Sequence, residues 1–383
     1  MRIGLDGLPL TSSKTGVGHY TFELARALAE LEPSTSFDLV YPSTYPILNF
    51  PEAVPIPSNL KLERVPVGPV GRHWWSAGLP RHIRHSGIEL FHGTNYDVPL
   101  RRRCATVLTI HDLSPLLHPE THTRRSVRRA RRRLPIMMRS ADAIITPTES
   151  VRLELSEYLK VPTEKIFAVH EAARECFQPL EFVDTENVRR RLGVGEEFLL
   201  SVGTLEPRKN LSVLISAFAE VIKARPENGL QLVVAGGAGW LSGPLFETIR
   251  ASPIRDRILL TDYLADDDLR ALYASCRAFI YPSIYEGFGL PPLEAMACGA
   301  PVVASAIPAL KETTKGGALL FDPQRPADLA EKLEHLLSDE NARLKLAAEG
   351  QRRAAEFSWG RAARETLDVY AQALKNFKLR AGE

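Results

Sequence analysis

Short apolar segments alternate with amphipathic, helix-like segments along nearly the whole chain of 383 residues. Strands that alternate with helices form βαβ units and parallel sheets. We expect strands at Ile3–Asp6, Phe37–Tyr41, Leu60–Val65, Glu89–His92, Thr106–Ile110, Ala143–Thr146, Ile166–Val169, Phe198–Val202, Leu230–Ala235, Ile258–Leu260, Ala278–Tyr281, Pro301–Ala304 and Ala318–Phe321. This number exceeds what one doubly wound sheet usually holds. The pattern therefore predicts an α/β fold with two parallel sheets, one in each half of the chain.

The boundary between the halves is predicted near Cys176–Gly195, where the chain becomes polar and charged from Glu181 onwards. A strong amphipathic helix from Trp359 to Leu379 follows the last predicted strand. We therefore predict a first domain over residues 1–178, a second over 179–357 and a C-terminal helix over 358–383. Ligands of such sheets bind beyond the carboxyl ends of the strands, so we expect a ligand cleft there.

The composition excludes several classes of protein. Hydrophobic residues make up 44% and charged residues 25% of the chain, which is typical of a globular protein and not of a disordered, collagen-like or coiled-coil one. No apolar run approaches the ~18 residues of a membrane helix. The amino terminus leads directly into a strand-like segment, so we expect no signal peptide and a cytoplasmic location. The four cysteines form no CxxC pair, which argues against a zinc site or a disulfide framework.

Positive charge is concentrated in one region. The chain carries a net charge of only +2, yet residues 72–139 hold fourteen arginines, no lysine and four acidic residues, a net charge of +10. In the densest run, 124–133, apolar residues recur at helical spacing, which indicates an amphipathic helix. Three interpretations remain: a solvated helix face, contact with anionic lipid or a phosphate-bearing acceptor, and contact with nucleic acid. Nucleic acid is the least favoured, because no aromatic residues interleave with the arginines.

Two glutamates flank a glycine-rich loop after the predicted strand Ala278–Tyr281. Glu286 lies in the loop and Glu294 in the helix that is expected to follow, with Pro291 suited to its first turn. The loop-to-helix turn can bring both carboxylates to one ligand. Carboxylates accept hydrogen bonds from sugar hydroxyls, and the free amides at a helix start bind phosphate. This combination suits a nucleotide sugar.

Two cations follow the predicted strand Phe198–Val202. Arg208 and Lys209 occur in the run Gly203-Thr204-Leu205-Glu206-Pro207-Arg208-Lys209-Asn210, just before a helix expected to begin at Asn210 or Leu211. Arginine can bind two oxygens at once, and lysine acts as a compact point charge. The pair is therefore suited to neutralise a diphosphate leaving group.

The first half offers weaker candidates. The run Gly16-Val17-Gly18-His19-Tyr20 is a glycine-rich turn at a helix start, but it lacks the third glycine of the dinucleotide fingerprint, so an NAD site is not expected. His111 follows a strand and can hydrogen-bond a sugar hydroxyl. The run His92-Gly93-Thr94-Asn95 forms a similar polar strand end, which we expect to face the same cleft.

At these residues the sequence resembles the retaining glycosyltransferases of family 4, which have the GT-B fold of two facing Rossmann-like domains. The resemblance is strongest over Glu286–Leu290, Glu294–Val303 and Gly203–Asn210, and looser at Gly16–Tyr20 and Ile110–Leu113. The run Gly203–Asn210 is also similar to bacterial mannosyl- or rhamnosyltransferases of surface polysaccharides. The resemblance implies that the first domain binds the acceptor and that the last helix crosses back to it.

The resemblance also implies a role for each matching residue. Glu294 would hold the nucleotide ribose, Glu286 the hydroxyls of the donor sugar, and His111 would approach that sugar. Arg208 and Lys209 would bind the diphosphate. The remaining residues are implied to line the site, on the donor side Gly203, Gly287, Phe288, Gly289, Leu290 and Gly16, and on the acceptor side His92, Asn95, Gly18 and Tyr20.

Two positions depart from the family pattern. Many relatives carry an arginine after the glycine of the diphosphate loop, where this chain has Thr204. Relatives often carry an Asn-Gly-Val-Asp run before the linker, whereas this chain has Val169-His170-Glu171-Ala172-Ala173-Arg174. No role is carried over to those residues.

The expected function is metal-independent transfer of a hexose, mannose-like by preference, to a glycan or polyprenyl-linked acceptor with retention of configuration. GDP-mannose is the favoured donor, and no cofactor is expected, since the chain has no Asp-x-Asp motif in a suitable loop. The arginine-rich run suggests peripheral association with the inner face of the membrane. The alternatives are a nucleotide-sugar epimerase or phosphorylase on the same fold, and a non-catalytic nucleotide-sugar-binding protein.

Overall fold

A computed structural model describes residues 1–11, 16–46, 55–68, 73–101, 103–179, 185–226 and 229–381. The predicted linker from Glu181 begins outside these residues. The chain forms two compact units: one comprises Met1–Leu113, Arg128–Glu171 and Ser358–Glu383, and the other Ser114–Val127 and Ala172–Phe357.

Within the described residues, every predicted strand is present, and each end lies within one residue of its expected position. The strands are β1 (Arg2–Asp6), β2 (Ser36–Pro42), β3 (Leu60–Val65), β4 (Leu90–Gly93), β5 (Ala105–Thr109), β6 (Ala143–Thr146), β7 (Ile166–Ala168), β8 (Phe198–Val202), β9 (Gln231–Ala235), β10 (Ile258–Thr261), β11 (Ala278–Tyr281), β12 (Val302–Ser305) and β13 (Ala318–Phe321).

Helices connect most of these strands. They are α1 (Gly16–Leu31), α2 (Leu79–Ser86), α3 (Ser114–Leu117), α4 (Arg124–Ser140), α5 (Glu149–Leu159), α6 (Thr185–Leu192), α7 (Leu211–Ala224), α8 (Gly243–Ala251), α9 (Asp266–Ser275), α10 (Leu290–Ala297), α11 (Pro308–Thr313), α12 (Pro326–Ser338), α13 (Glu340–Ala354) and α14 (Trp359–Ala381).

Each unit contains one parallel sheet. The first has seven described strands in the order β3-β2-β1-β4-β5-β6-β7, and the second has six in the order β10-β9-β8-β11-β12-β13. In both sheets the order reverses direction beside the first strand of the unit, which is the mark of a doubly wound fold. The predicted pair of Rossmann-like parallel sheets is therefore confirmed.

The second unit has apolar layers on both faces of its sheet. Leu199 of β8 belongs to one buried cluster and its neighbour Leu200 to the other, and Phe279 and Ile280 of β11 divide in the same way. Successive side chains of a strand point to opposite faces, so a sheet covered on both sides needs continuous apolar runs. This explains why these strands could be recognised in the sequence.

The last helix, α14, belongs to the first unit and packs on α1, β5 and β6. Tyr370 is buried, and its hydroxyl lies 2.8 Å from Nδ1 of His92. Asn376 donates a hydrogen bond of 3.1 Å to the carbonyl oxygen of Asp142. The helix therefore completes the core of a unit whose strands precede it by more than 180 residues in the chain.

None of the described helices has both the length and the apolar character that crossing a bilayer requires.

Candidate active site

The turn that follows β8 carries two cations, Arg208 and Lys209. Gly203 has a φ of +151°, and a Cβ at this position would lie 3.3 Å from Cε of Lys209. Pro207–Lys209 form a short 3-10 turn that ends at Asn210, whose side chain donates to the carbonyl oxygens of Pro282 and Pro323 at 3.1 and 2.9 Å. α7 begins at Leu211, as expected. Gly203 thus provides both the backbone conformation and the space that place Lys209.

The loop after β11 leads directly into α10. Gly289 has a φ of +100°, and a Cβ there would lie only 2.6 Å from Leu310, so glycine is required. Pro291 and Pro292 lie in the first turn of the helix, as predicted. Phe288 is buried and its carbonyl oxygen accepts a hydrogen bond from Thr313 at 3.0 Å. Its side chain therefore belongs to the core, and only its backbone could contact a nucleotide-sugar donor.

These two turns meet around Glu286. One oxygen of Glu286 lies 2.6 Å from Nζ of Lys209, and the other lies 2.8 Å from Nη1 of Arg208. Arg208 also contacts Glu206 at 2.7 Å, and Lys209 donates to the hydroxyl of Tyr281 at 2.6 Å. We call Glu206, Arg208, Lys209 and Glu286 the charge cluster. It brings together three of the sequence-predicted site residues.

The charge cluster is largely removed from solvent, since its side chains are between 2% and 13% exposed. Burial alone raises the pKa of Glu286, but Arg208 and Lys209 outweigh this effect and lower it from 4.5 to about 2. Glu286 is therefore a carboxylate throughout the physiological range. Two positive and two negative charges balance one another at the carboxyl ends of β8 and β11.

Glu294 has different partners. It is buried in α10 and accepts a hydrogen bond of 2.8 Å from Nε of Arg174. Nη1 of the same arginine contacts Asp266 at 2.8 Å. The sequence predicted that Glu286 and Glu294 serve one ligand, and the structure gives each of them its own set of cations.

Sequence reasoning missed Arg174, Glu206, Asp266 and Tyr281. Glu206 lies in the run 203–210 beside two cations, and its position in the sequence does not distinguish it from a solvated loop residue. Tyr281 ends a buried strand, so its pattern is that of a core residue. Arg174 lies in the run 169–174, which departs from the Asn-Gly-Val-Asp pattern, but that departure does not reveal its partners.

In the first unit, three predicted residues form one polar network. Tyr20 and His92 both hydrogen-bond the hydroxyl of Thr109, at 2.9 and 2.8 Å. The ring of His111 meets that of Tyr20 edge-on at 4.8 Å. Nε2 of His111 donates to the carbonyl oxygen of Thr94 at 2.8 Å, and its Nδ1 lies 3.4 Å from Glu171.

Burial corrects part of the predicted acceptor side. His92 is fully buried, and desolvation lowers its pKa from 6.5 to about 3, so it is a neutral interior residue. Tyr20 is only 3% exposed, and Gly18 is buried, with the carbonyl oxygen of Pro9 3.1 Å from where a Cβ would be. These three residues support the unit from inside. Asn95 is half-buried, and Gly16 is exposed at the start of α1.

Comparisons with known proteins match both halves of the chain. Residues 14–172 match the family model for glycosyltransferase family 4, and residues 183–353 match the model for glycosyl transferases group 1. O-antigen chain mannosyltransferase B of Escherichia coli is 28% identical over 391 residues, which cover 97% of this chain and 99% of that protein.

Solved structures share the fold of this chain. Sucrose-phosphate synthase from Thermosynechococcus elongatus superposes with a TM-score of 0.78 and 21% identity over 100% of both chains. HepE of Anabaena, solved in complex with UDP-glucose, superposes with a TM-score of 0.72 and 20% identity over 96% of this chain and 99% of that one. At these identities the structures establish the fold, and the family models establish the relationship. With its GT-B fold, the chain belongs to the glycosyltransferases of family 4.

Proposed function

We propose that the protein transfers a hexose, by preference mannose, from a nucleotide diphosphate sugar to a hydroxyl of a glycan or polyprenyl-linked acceptor. The charge cluster is the observation that carries this proposal, because buried cations at the carboxyl ends of β8 and β11 suit a diphosphate. Mannose and a role in polysaccharide synthesis are favoured because the full-length relative from E. coli is named an O-antigen chain mannosyltransferase. GDP-mannose is accordingly the donor that we expect.

The reaction develops negative charge on the departing phosphate and positive charge at the anomeric carbon. Arg208, Lys209 and the backbone N–H groups near Phe288–Leu290, which precede the two prolines of α10, would stabilise the departing phosphate. Glu286 would bind hydroxyls of the donor sugar, and His111 would approach the same sugar. This charge balance requires no metal ion. We propose that the anomeric configuration is retained, either through a nucleophile or by attack on the face from which the phosphate leaves.

The test is a thermal-shift screen of the full chain with GDP-, UDP- and dTDP-sugars, followed by transfer assays. We expect GDP-mannose to raise the melting temperature, since a ligand that binds only the folded state stabilises it by about 2.7 kcal/mol at 100 times its Kd. Transfer should continue in EDTA, and NMR of the product should show the donor's anomeric configuration.

Other products would redirect the assignment. Conversion of the donor without an acceptor would indicate an epimerase, and a requirement for free phosphate would indicate a phosphorylase. Donor binding without turnover on a broad acceptor panel would contradict the proposed enzyme and favour a binding protein.

We also propose that α4 carries the protein to an anionic surface, which would place it at the inner face of the membrane. Its exposed arginines are Arg124, Arg125, Arg128, Arg129, Arg131, Arg132 and Arg139. The opposite side of the helix is anchored by buried Leu134, Met137 and Met138, and Arg133 forms an ion pair with Asp97. The helix therefore presents a dense positive face while its apolar side is already packed.

Vesicle-binding assays measure the contribution of the α4 arginines to membrane affinity. Near an anionic membrane each arginine contributes about 1 kcal/mol, so the double variant Arg131→Ser/Arg132→Ser should bind phosphatidylglycerol-containing vesicles roughly 10- to 100-fold more weakly. The matched control Arg250→Ser/Arg352→Ser removes the same charge from exposed positions on α8 and α13. Equal binding by both variants, or binding that does not change across a salt series, would rule out an electrostatic contact through α4.

A further inference from the structure

Arg174 joins two carboxylates in the second unit. Its Nε donates to Glu294 of α10, 120 residues further along the chain, and its Nη1 donates to Asp266 at the start of α9, both at 2.8 Å. The guanidinium lies 4.4 Å from the centre of the ring of Phe177, which is buried in the core. Two helices, α9 and α10, and the ring of Phe177 therefore fix one planar cation.

Both members of the Arg174–Glu294 pair are buried, with side chains 7% and 6% exposed, whereas Asp266 is 45% exposed. A buried carboxylate without a partner would be driven towards its neutral form, because desolvation penalises the charge. Glu294 and Asp266 raise the pKa of Arg174 although burial alone would lower it, so the cation is permanent. Glu294 therefore has a permanent cation as its buried partner.

The fork of the guanidinium also fixes direction. Because Nε and Nη1 lie in one rigid plane and bond different carboxylates, the position of Asp266 sets the angle at which Arg174 meets Glu294. A lysine offers one point charge and cannot hold this geometry. A carboxylate accepts several hydrogen bonds at once, so a contact with Arg174 is compatible with contacts to hydroxyl groups.

We propose that Arg174 is a positioning residue that holds Glu294 ionised and oriented to accept hydrogen bonds from the ribose hydroxyls of the donor nucleotide. The inference rests on the proposed function, in which Glu294 binds the ribose. In this role Arg174 acts through Glu294.

The test is the discrimination between ribose and deoxyribose, which a merely structural role does not change. Calorimetry on the full chain would compare GDP with 2′-deoxy-GDP and 3′-deoxy-GDP, with the uridine series in parallel. Hydrogen bonds to a charged group suggest that the wild type prefers the ribonucleotide about 10-fold or more. We expect Arg174→Lys and Glu294→Gln to reduce this preference to roughly 3-fold or less, with a raised KM for the donor and little change in kcat.

Arg191→Lys is the matched control. Arg191 is an exposed arginine of α6 that is paired with Asp268, and Asp268 lies in α9 together with Asp266. This variant should keep the wild-type preference for the ribonucleotide. If Arg174→Lys does not fold, Asp266→Asn replaces it in the test. This variant removes the half-exposed ion-pair partner of Arg174 and should also lower the preference for the ribonucleotide.

The possible failures are distinct. A preference that is lost in Glu294→Gln but unchanged in Arg174→Lys, or in Asp266→Asn where that variant replaces it, overturns this inference and leaves the proposed function standing. A wild-type protein that binds all three nucleotides equally, or a Glu294→Gln variant that keeps the preference, removes the ribose role of Glu294 and the inference with it. Absence of binding to either nucleotide series defeats the proposed function itself.

Discussion

Replacing Lys209 with alanine is expected to lower kcat for glycosyl transfer about 100- to 1,000-fold, since removing one donor to a developing negative charge costs about 2.7–4 kcal/mol of barrier. The ammonium of Lys209 lies in a buried turn, where its charge is poorly screened by water. Arg208→Ala should give a loss of similar size. Initial rates with saturating GDP-mannose measure both effects.

Lys223→Ala is the control for this prediction, because Lys223 is an exposed lysine at the far end of α7. Its kcat should equal that of the wild type. Circular dichroism would establish that all three variants are folded. Wild-type turnover in both Lys209→Ala and Arg208→Ala would show that the diphosphate is not bound by these cations.

Glu286→Gln is expected to change binding and turnover in opposite directions. The charge cluster is neutral with Glu286 ionised, so the amide leaves one net positive charge beside the diphosphate. At a separation of about 4 Å one charge is worth at least about 1 kcal/mol, which gives roughly 5-fold tighter binding of GDP. The amide loses the charge-assisted hydrogen bonds that the carboxylate would make to hydroxyls of the donor sugar in the transition state, so kcat should fall about 100-fold.

Calorimetry with GDP and initial rates with GDP-mannose separate the two effects. Glu206→Gln serves as the comparison, since Glu206 contacts Arg208 and should affect binding in the same direction with a smaller loss of kcat. Weaker GDP binding by Glu286→Gln would mean that the carboxylate supports the nucleotide site rather than competing with it. An unchanged kcat would exclude Glu286 from the reaction.

Local patterns made most of the fold predictable. Buried parallel strands are continuous apolar runs, so β8, β11 and β12 are visible in the sequence without any knowledge of their partners. The turn containing Arg208 and Lys209 and the loop containing Glu286 could be placed for the same reason, because each directly follows such a strand. Their meeting is a consequence of β8 and β11 being neighbours in the sheet.

Contacts between distant segments were not predictable. Arg174 meets Glu294 across 120 residues, and no spacing rule reports such a pair. His92 is followed by polar residues in the sequence, but it lies within β4. Tyr370, 278 residues further along the chain, packs over it. A polar residue at the end of a strand therefore marks a binding edge only where no other part of the chain packs over it.

The late position of α14 in the chain has a consequence for biosynthesis. Residues 172–357 leave the ribosome before the helix that seals β5 and β6, and at ordinary elongation rates this takes roughly 10–40 s. During that interval the apolar surface that later contacts Trp359, Ala363 and Tyr370 is exposed to chaperones and to neighbouring nascent chains. Maturation of the first unit therefore waits for the synthesis of α14, and we expect a polypeptide that ends upstream of Ser358 to be prone to aggregation.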